Sequence, residues 1–323
     1  MTDNKWQSGQ VLVNGITVAY DDVGEGDNVL VLLHGHPFNR TMWRPQMEWI
    51  EGFNRARARP RARSEGGDSL KDSERREDDN GIEPATPRNL EHEDEPEHDK
   101  SPTRRTIVPD LRGYGESTVV PGKTTLDIFA SDIAGLLDAL GIQKVVIGGL
   151  SMGGQIVMEF CRLYPGRARG ILLAATFCRA ETEEGRRQRV AMADRLLKEG
   201  MQPYAEEVLP KMVTPANLRA LPRVADHVRT MMRATNPAGA AAAVRGRAER
   251  PDYAETLAKL DVPALVVIGD EDAFTTRADA EQMTTLLKRS ELVWLKKVGH
   301  MPNLESEGEF NEALGSLLKR CAE

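Results

Sequence analysis

Gly149-Leu150-Ser151-Met152-Gly153 has the form G-x-S-x-G, set between an apolar run that reads as a strand and an amphipathic stretch that reads as a helix. A tight strand–turn–helix corner crowds its own backbone, and Gly149, Gly153 and Gly154 supply the small residues it needs. A serine at that corner, Ser151, is presented as a nucleophile. The helix beginning beneath it favours developing negative charge. The plain alternative is a Gly-rich turn whose serine only caps the helix. A serine hydroxyl attacks poorly at neutral pH, so nucleophilic chemistry also requires a base, and the base requires an orienting acid.

The chain has six histidines. His92 and His98 fall in a very polar stretch, His227 in a helical one, and His34 and His36 just after the third strand. His300, in Val298-Gly299-His300-Met301-Pro302, follows the last strand, where a loop opens on the carboxyl edge of the sheet beside the serine corner. His300 is the expected base. The acid should lie between serine and histidine in chain order. Gly269-Asp270-Glu271-Asp272 follows a strand at the same edge. Asp272 is the expected acid, with Asp270 its competitor and expected to brace the turn. Two backbone donors should face the developing oxyanion. These are the Met152 amide and, from His34-Gly35-His36-Pro37-Phe38, the His36 amide, because Pro37 has none. Gly35 lets that loop approach closely, and His34 is expected to be structural. Phe38, Met231 and Met232 are the expected lining of a substrate pocket. Ordinary packing is the competing reading for the methionines. Arg245, Arg247 and Arg250 suggest either an anion site or a solvated charged surface, and the latter is the commoner outcome.

The elements that must position these groups can also be read. Residues 10–13 and 16–20 alternate around Asn14-Gly15, a type I′ hairpin signal. Residues 29–33, 106–109, 144–147, 170–174, 264–268 and 291–295 read as strands. Helical spacing covers 43–50, 125–140, 152–164, 277–287 and 307–320. Strands alternating with helices imply a mostly parallel sheet covered on both faces. Residues 180–253 break the rhythm with helical patterns and repeated prolines, as a helical lid would. Residues 55–104 stand apart. Half of them are charged and none is aromatic, so the segment cannot bury enough apolar area to offset its ordering entropy and reads as a disordered insertion. The core is then residues 1–54, 105–179 and 254–323.

Five segments carry a family resemblance. HGHPFNRTMW resembles the oxyanion loop, PDLRGYGES the turn after the fourth sheet strand, GGLSMGG the elbow, GDEDAFTT the acid loop and VGHMPNLE the histidine loop of the α/β-hydrolase superfamily. The likeness is to its lidded branch of esterases, enol-lactonases, carbon–carbon bond hydrolases and cofactor-free perhydrolases. It implies a mostly parallel eight-stranded sheet flanked by helices, and it matches Asp272 to the acid position. It also implies hydrolysis of a small carboxylic ester or lactone through an acyl-enzyme. Carbon–carbon bond cleavage or perhydrolysis by the same triad is an alternative, and a non-catalytic binding protein on the same fold is another. A serine elbow argues against the aspartate chemistry of dehalogenases and epoxide hydrolases.

Composition narrows the remaining classes. A net charge of −7 with no basic face gives no footprint for nucleic acid. No apolar run is long enough to cross a membrane, and the polar N-terminus lacks a secretory signal. Cys161, Cys178 and Cys321 make no disulfide framework, so a reducing, cytoplasmic setting is expected. The His and Asp positions form no zinc set and no phosphate loop is present. The expectation is therefore no cofactor and no metal, with a small-molecule substrate as partner. No signature of a particular oligomeric state is visible.

Overall fold

The computed structural model describes residues 6–58 and 104–322. Strands β1 (Gln7–Val13) and β2 (Ile16–Val23) form the opening hairpin. Asn14 and Gly15 turn it with φ of 46° and 75°, the positive values a type I′ turn requires. β3 (Asn28–Leu33) leads through a 3-10 turn, Arg40–Trp43, into α1 (Arg44–Ala58). Helix α1 therefore runs past the boundary expected at residue 54. The alternating Arg and Ala that marked a charged insertion are also good helix formers. The remainder of that insertion, 59–103, lies outside the described residues.

The chain resumes in β4 (Arg104–Pro109), then α2 (Leu126–Ala139), β5 (Val145–Leu150), α3 (Met152–Leu163) and β6 (Ala168–Ala174). Between β6 and the next strand come α4 (Glu183–Glu199), α5 (Met201–Met212), α6 (Pro215–Ala220), α7 (Pro222–Ala234), α8 (Pro237–Arg247) and the short α9 (Ala254–Lys259). Pro215, Pro222 and Pro237 each open a helix, where a missing N–H costs nothing. The fold closes with β7 (Ala264–Gly269), α10 (Arg277–Leu286), β8 (Ser290–Leu295), α11 (Pro302–Glu305) and α12 (Glu307–Arg320).

The strands form one eight-stranded sheet in the order β1-β2-β4-β3-β5-β6-β7-β8. β2 is antiparallel to β1 and β4, while β3 to β8 run parallel. Every residue of β5 and β7 is buried, as expected of central strands covered on both faces. Period-two alternation divides β3 between two cores: Leu30 and Leu32 pack in one, Val29, Val31 and Leu33 in the other. Register pairs Leu33 with Gly149, Leu150 with Ala174, and Gly269 with Leu295. The carboxyl ends of β3, β5, β6, β7 and β8 thereby open along one edge, which is where a parallel sheet binds ligands. Among the described residues no helix is long and apolar enough to cross a membrane.

Candidate active site

Ser151 stands between β5 and α3 with φ 56° and ψ −113°, a conformation costing a non-glycine residue on the order of 1–3 kcal/mol. Surrounding bonds hold it there. Its N–H donates to the Ala174 carbonyl at 2.9 Å, and its carbonyl accepts from the Gln155 N–H at 3.1 Å and the Thr176 hydroxyl at 2.8 Å. Its side chain makes no capping hydrogen bond to α3, which separates it from a helix-capping serine. The flanking glycines are sterically required. A Cβ on Gly149 would stand 2.2 Å from the Gly153 carbonyl carbon, and one on Gly153 would stand 2.2 Å from the Leu33 carbonyl oxygen.

His300, in the loop between β8 and α11, is 2% exposed. Its Nδ1 lies 2.9 Å from both carboxylate oxygens of Asp272, so Nδ1–H donates and Nε2 is left to accept a proton. Asp272 also accepts from the amides of Phe274 at 2.8 Å and Thr275 at 3.2 Å. Burial pushes the Asp272 carboxyl up. The His300 charge and hydrogen bond, with the two amides, outweigh that and hold it below its ordinary value. Asp270 does different work: it is exposed and accepts from the Lys297 amide at 2.6 Å, closing the turn.

The histidine loop is fastened from both sides. The His300 N–H donates to the Met212 carbonyl at 3.0 Å. Glu305 Oε1 accepts from the amides of Gly299 at 3.0 Å and Met301 at 3.2 Å. Its Oε2 accepts from the Thr214 amide at 3.0 Å and Asn217 Nδ2 at 2.8 Å. One carboxylate thus joins the loop carrying His300 to the junction of α5 and α6.

Gly35 brings the loop after β3 against the elbow; a Cβ there would lie 3.0 Å from the Leu150 carbonyl oxygen and 3.3 Å from the Ser151 Cβ. Met152 opens α3, so its amide is one of the first-turn donors lacking an intrahelical acceptor. His34 fixes the loop through both ring nitrogens: Nδ1–H donates to the Gly35 carbonyl at 2.9 Å, and Nε2 accepts from the Leu111 amide at 3.0 Å. The His36 ring meets the Tyr114 hydroxyl at 2.8 Å. Burial first, then Arg247, Arg189 and His34, depress its pKa well below that of a free imidazole, so it is neutral. Asp110, fully buried, pins the same loop by accepting from the Arg40 amide at 2.8 Å and pairing with its guanidinium.

Ser151, His300 and His36 border one cavity of about 400 Å³. Its other walls include Phe177, Tyr204, Met212, Phe274 and several arginines. The expected pocket residues lie elsewhere: Phe38, Met231 and Met232 are packed in the core, outside this lining. The spacing of α7 marks a buried face without saying what that face meets. Of the methionines between β6 and β7, Met212 is the one on the wall. Phe177 and Phe274 could have been found by extending the carboxyl-edge rule past β6 and β7. The arginines divide. Arg245 is part-exposed and pairs with Asp194 at 2.7 Å, whereas Arg247 and Arg250 are 8% and 2% exposed and line the cavity. The solvated-surface reading therefore fails for the latter two. Among the described residues no group of three or more His, Cys, Asp or Glu is placed to hold a metal ion.

Residues 30–313 match the alpha/beta hydrolase family. The chain is 26% identical over 214 residues to 3-oxoadipate enol-lactonase 2 of Acinetobacter baylyi, covering 66% of this chain and 78% of that protein. Against the 2-hydroxy-6-oxononadienedioate/2-hydroxy-6-oxononatrienedioate hydrolase of Burkholderia vietnamiensis it is 22% identical over 320 residues, covering 94% and 92%. A thermophilic esterase from Thermogutta terrifontis, solved with malate bound, superposes with a TM-score of 0.79 at 31% identity, covering 98% of this chain and 100% of that one.

Proposed function

The chain belongs to the alpha/beta hydrolase family and has its fold, and we propose that it is a serine hydrolase cleaving a small carboxylic ester or lactone through an acyl-enzyme. One observation carries the reading: Ser151, held in a strained elbow, and His300, bonded through Nδ1 to Asp272, border the same cavity. The similarity to an esterase over nearly the whole chain supports ester chemistry. The cavity volume is in the small-ligand range.

In this mechanism His300 Nε2 takes the Ser151 proton as Oγ attacks the substrate carbonyl. The tetrahedral oxyanion accepts from the Met152 and His36 amides. Collapse breaks the bond to the leaving alkoxide, which takes the proton from His300. Water then gives a proton to His300 and attacks the acyl-enzyme. The second tetrahedral intermediate collapses, the proton returns to Ser151, and the carboxylic acid leaves. Asp272 keeps the imidazole in the productive tautomer and stabilises the transient imidazolium. The helices between β6 and β7 serve as a lid over the cavity. Three free thiols, two of them buried, support placing the enzyme in a reducing compartment such as the cytoplasm.

The test is labelling by a fluorophosphonate probe together with hydrolysis of p-nitrophenyl esters. Both are expected in the wild type and both are lost in Ser151→Ala. A wild-type protein that is neither labelled nor active sinks the proposal and favours a binding protein on the hydrolase fold.

A further inference from the structure

The charges lining the cavity do not balance. Arg179, Arg189, Arg247 and Arg250 face it, against the carboxylates of Glu181 and Glu184. Both carboxylates are already engaged: Glu184 by Arg187 at 2.6 Å, and Glu181 by Arg189 and, at 3.4 Å, by Arg250. Arg179 pairs with Asp279. Arg247 has no carboxylate partner among the described residues. Its Nε donates to Gln155 Oε1 at 3.1 Å, a neutral acceptor.

A buried cation without a counterion is costly unless a ligand supplies one. Burial and the nearby Arg189 and Arg250 push the Arg247 pKa down, but a guanidinium starts high enough to remain charged at neutral pH. Two further donors beside it want acceptors. Arg250 Nη1 and Gln155 Nε2 are buried and have no hydrogen-bond partner. Placement adds to this. Gln155, which holds Arg247, lies one helical turn beyond Ser151 on α3, so the guanidinium is tethered within a turn of the nucleophile. An anion there would sit in the cavity with the scissile bond, on the same molecule.

We propose that the cavity takes an ester or lactone that itself carries a carboxylate, and that Arg247, assisted by Arg250, binds that carboxylate. This rests on the serine-hydrolase reading and adds the substrate class to it. Arg247 acts in binding; the bond-making atoms remain those of Ser151 and His300.

The experiment compares mono-4-nitrophenyl adipate with 4-nitrophenyl hexanoate, which match in chain length and differ in the terminal carboxylate. The wild type is expected to prefer the adipate monoester by about 30-fold or more in kcat/KM, the range for a charge-assisted pair in a buried site. In Arg247→Gln that ratio is expected to collapse towards one, through KM more than kcat, and Arg247→Lys should restore part of it. A wild-type ratio of one or below, or an unchanged ratio in Arg247→Gln, overturns the proposal. If the variant does not fold, the wild type alone decides. Adipate should inhibit hexanoate turnover competitively and far better than hexane-1,6-diol, and equal inhibition overturns the inference. Fluorophosphonate labelling separates the two levels. A labelled enzyme without the preference loses only the anion site, whereas an unlabelled one loses the serine-hydrolase reading beneath it.

Discussion

Replacing Asp272 by Asn changes one oxygen for an amide nitrogen, and the surrounding donors decide which one. Oδ1 is held by the Phe274 and Thr275 amides, so the Asn carbonyl takes that place and the NH₂ falls where Oδ2 now lies, 2.9 Å from His300 Nδ1. A donor then competes with the Asn carbonyl, itself 2.9 Å from Nδ1, for the nitrogen that must donate, which raises the share of the tautomer whose Nε2 carries the proton and cannot accept one from Ser151. The negative charge opposite the imidazolium is lost as well. With charge centres about 4 Å apart and an effective dielectric of 20, that interaction is about 4 kcal/mol, or about a thousandfold in rate. The equivalent change in a serine protease triad costs about 10⁴. We expect Asp272→Asn to lower kcat on a p-nitrophenyl ester by about 10³ to 10⁴, with the fold intact by circular dichroism. Asp270→Asn should stay within about threefold, because an Asn carbonyl can still accept from the exposed Lys297 amide. Equal losses in the two variants, or a loss under tenfold in Asp272→Asn, would refute the assignment of the acid.

Three more perturbations test the same geometry. Gly149→Ala sets a methyl 2.2 Å from backbone at the elbow; denaturant unfolding should show a loss of about 3 kcal/mol or more, and wild-type stability would contradict the steric reading. Asp272 has a folded pKa below its unfolded one. Its contribution to stability is therefore present above the usual carboxylate range and is lost as pH falls through the depressed value. As pH falls below about 4, the stability gap between wild type and Asp272→Asn should shrink; a gap that widens in that range has the wrong sign. Asn54 Nδ2 donates to the Arg104 carbonyl at 2.9 Å, so the two ends of the chain flanking residues 59–103 are close together. A short Gly/Ser linker in their place is expected to leave ester hydrolysis and thermal stability unchanged, and a chain that no longer folds would show that the segment has a structural role.

Ser151, His300 and Asp272, the proposed nucleophile, base and acid, stand out in the sequence because each follows a strand whose apolar run is unmistakable, and a parallel sheet brings its carboxyl ends to one edge. Strand positions are legible for the same reason, with ends displaced by a few residues where pairing extends past the apolar run, as in β5 through Gly148-Gly149-Leu150. The cavity wall is not legible. It is made by helices between β6 and β7 whose placement depends on contacts distant in the chain, such as α4 against α8. Periodicity identifies the inner face of α7 but does not tell a core from a cavity, so Met231 and Met232 fall on the wrong side of that distinction. Arg247 reads as surface because arginine usually is. The counter-signal lies in its own helix: Pro237–Arg247 is apolar nearly all round, and a helix of that kind is buried on every side, which carries its terminal arginine inside with it.

Glu305 and the Met212 carbonyl have a mechanical consequence. The α5–α6 junction and the loop carrying His300 are stitched together, so α5 and α6 cannot swing outward as a unit without either breaking those bonds or dragging His300 off Asp272. In the proposed mechanism, an opening large enough to admit substrate by that route would disengage His300 from its orienting carboxylate while it lasts. An entry route between α4 and residues 179–182, which also border the cavity, would carry no such penalty, because substrate could pass there with the bond between His300 and Asp272 intact.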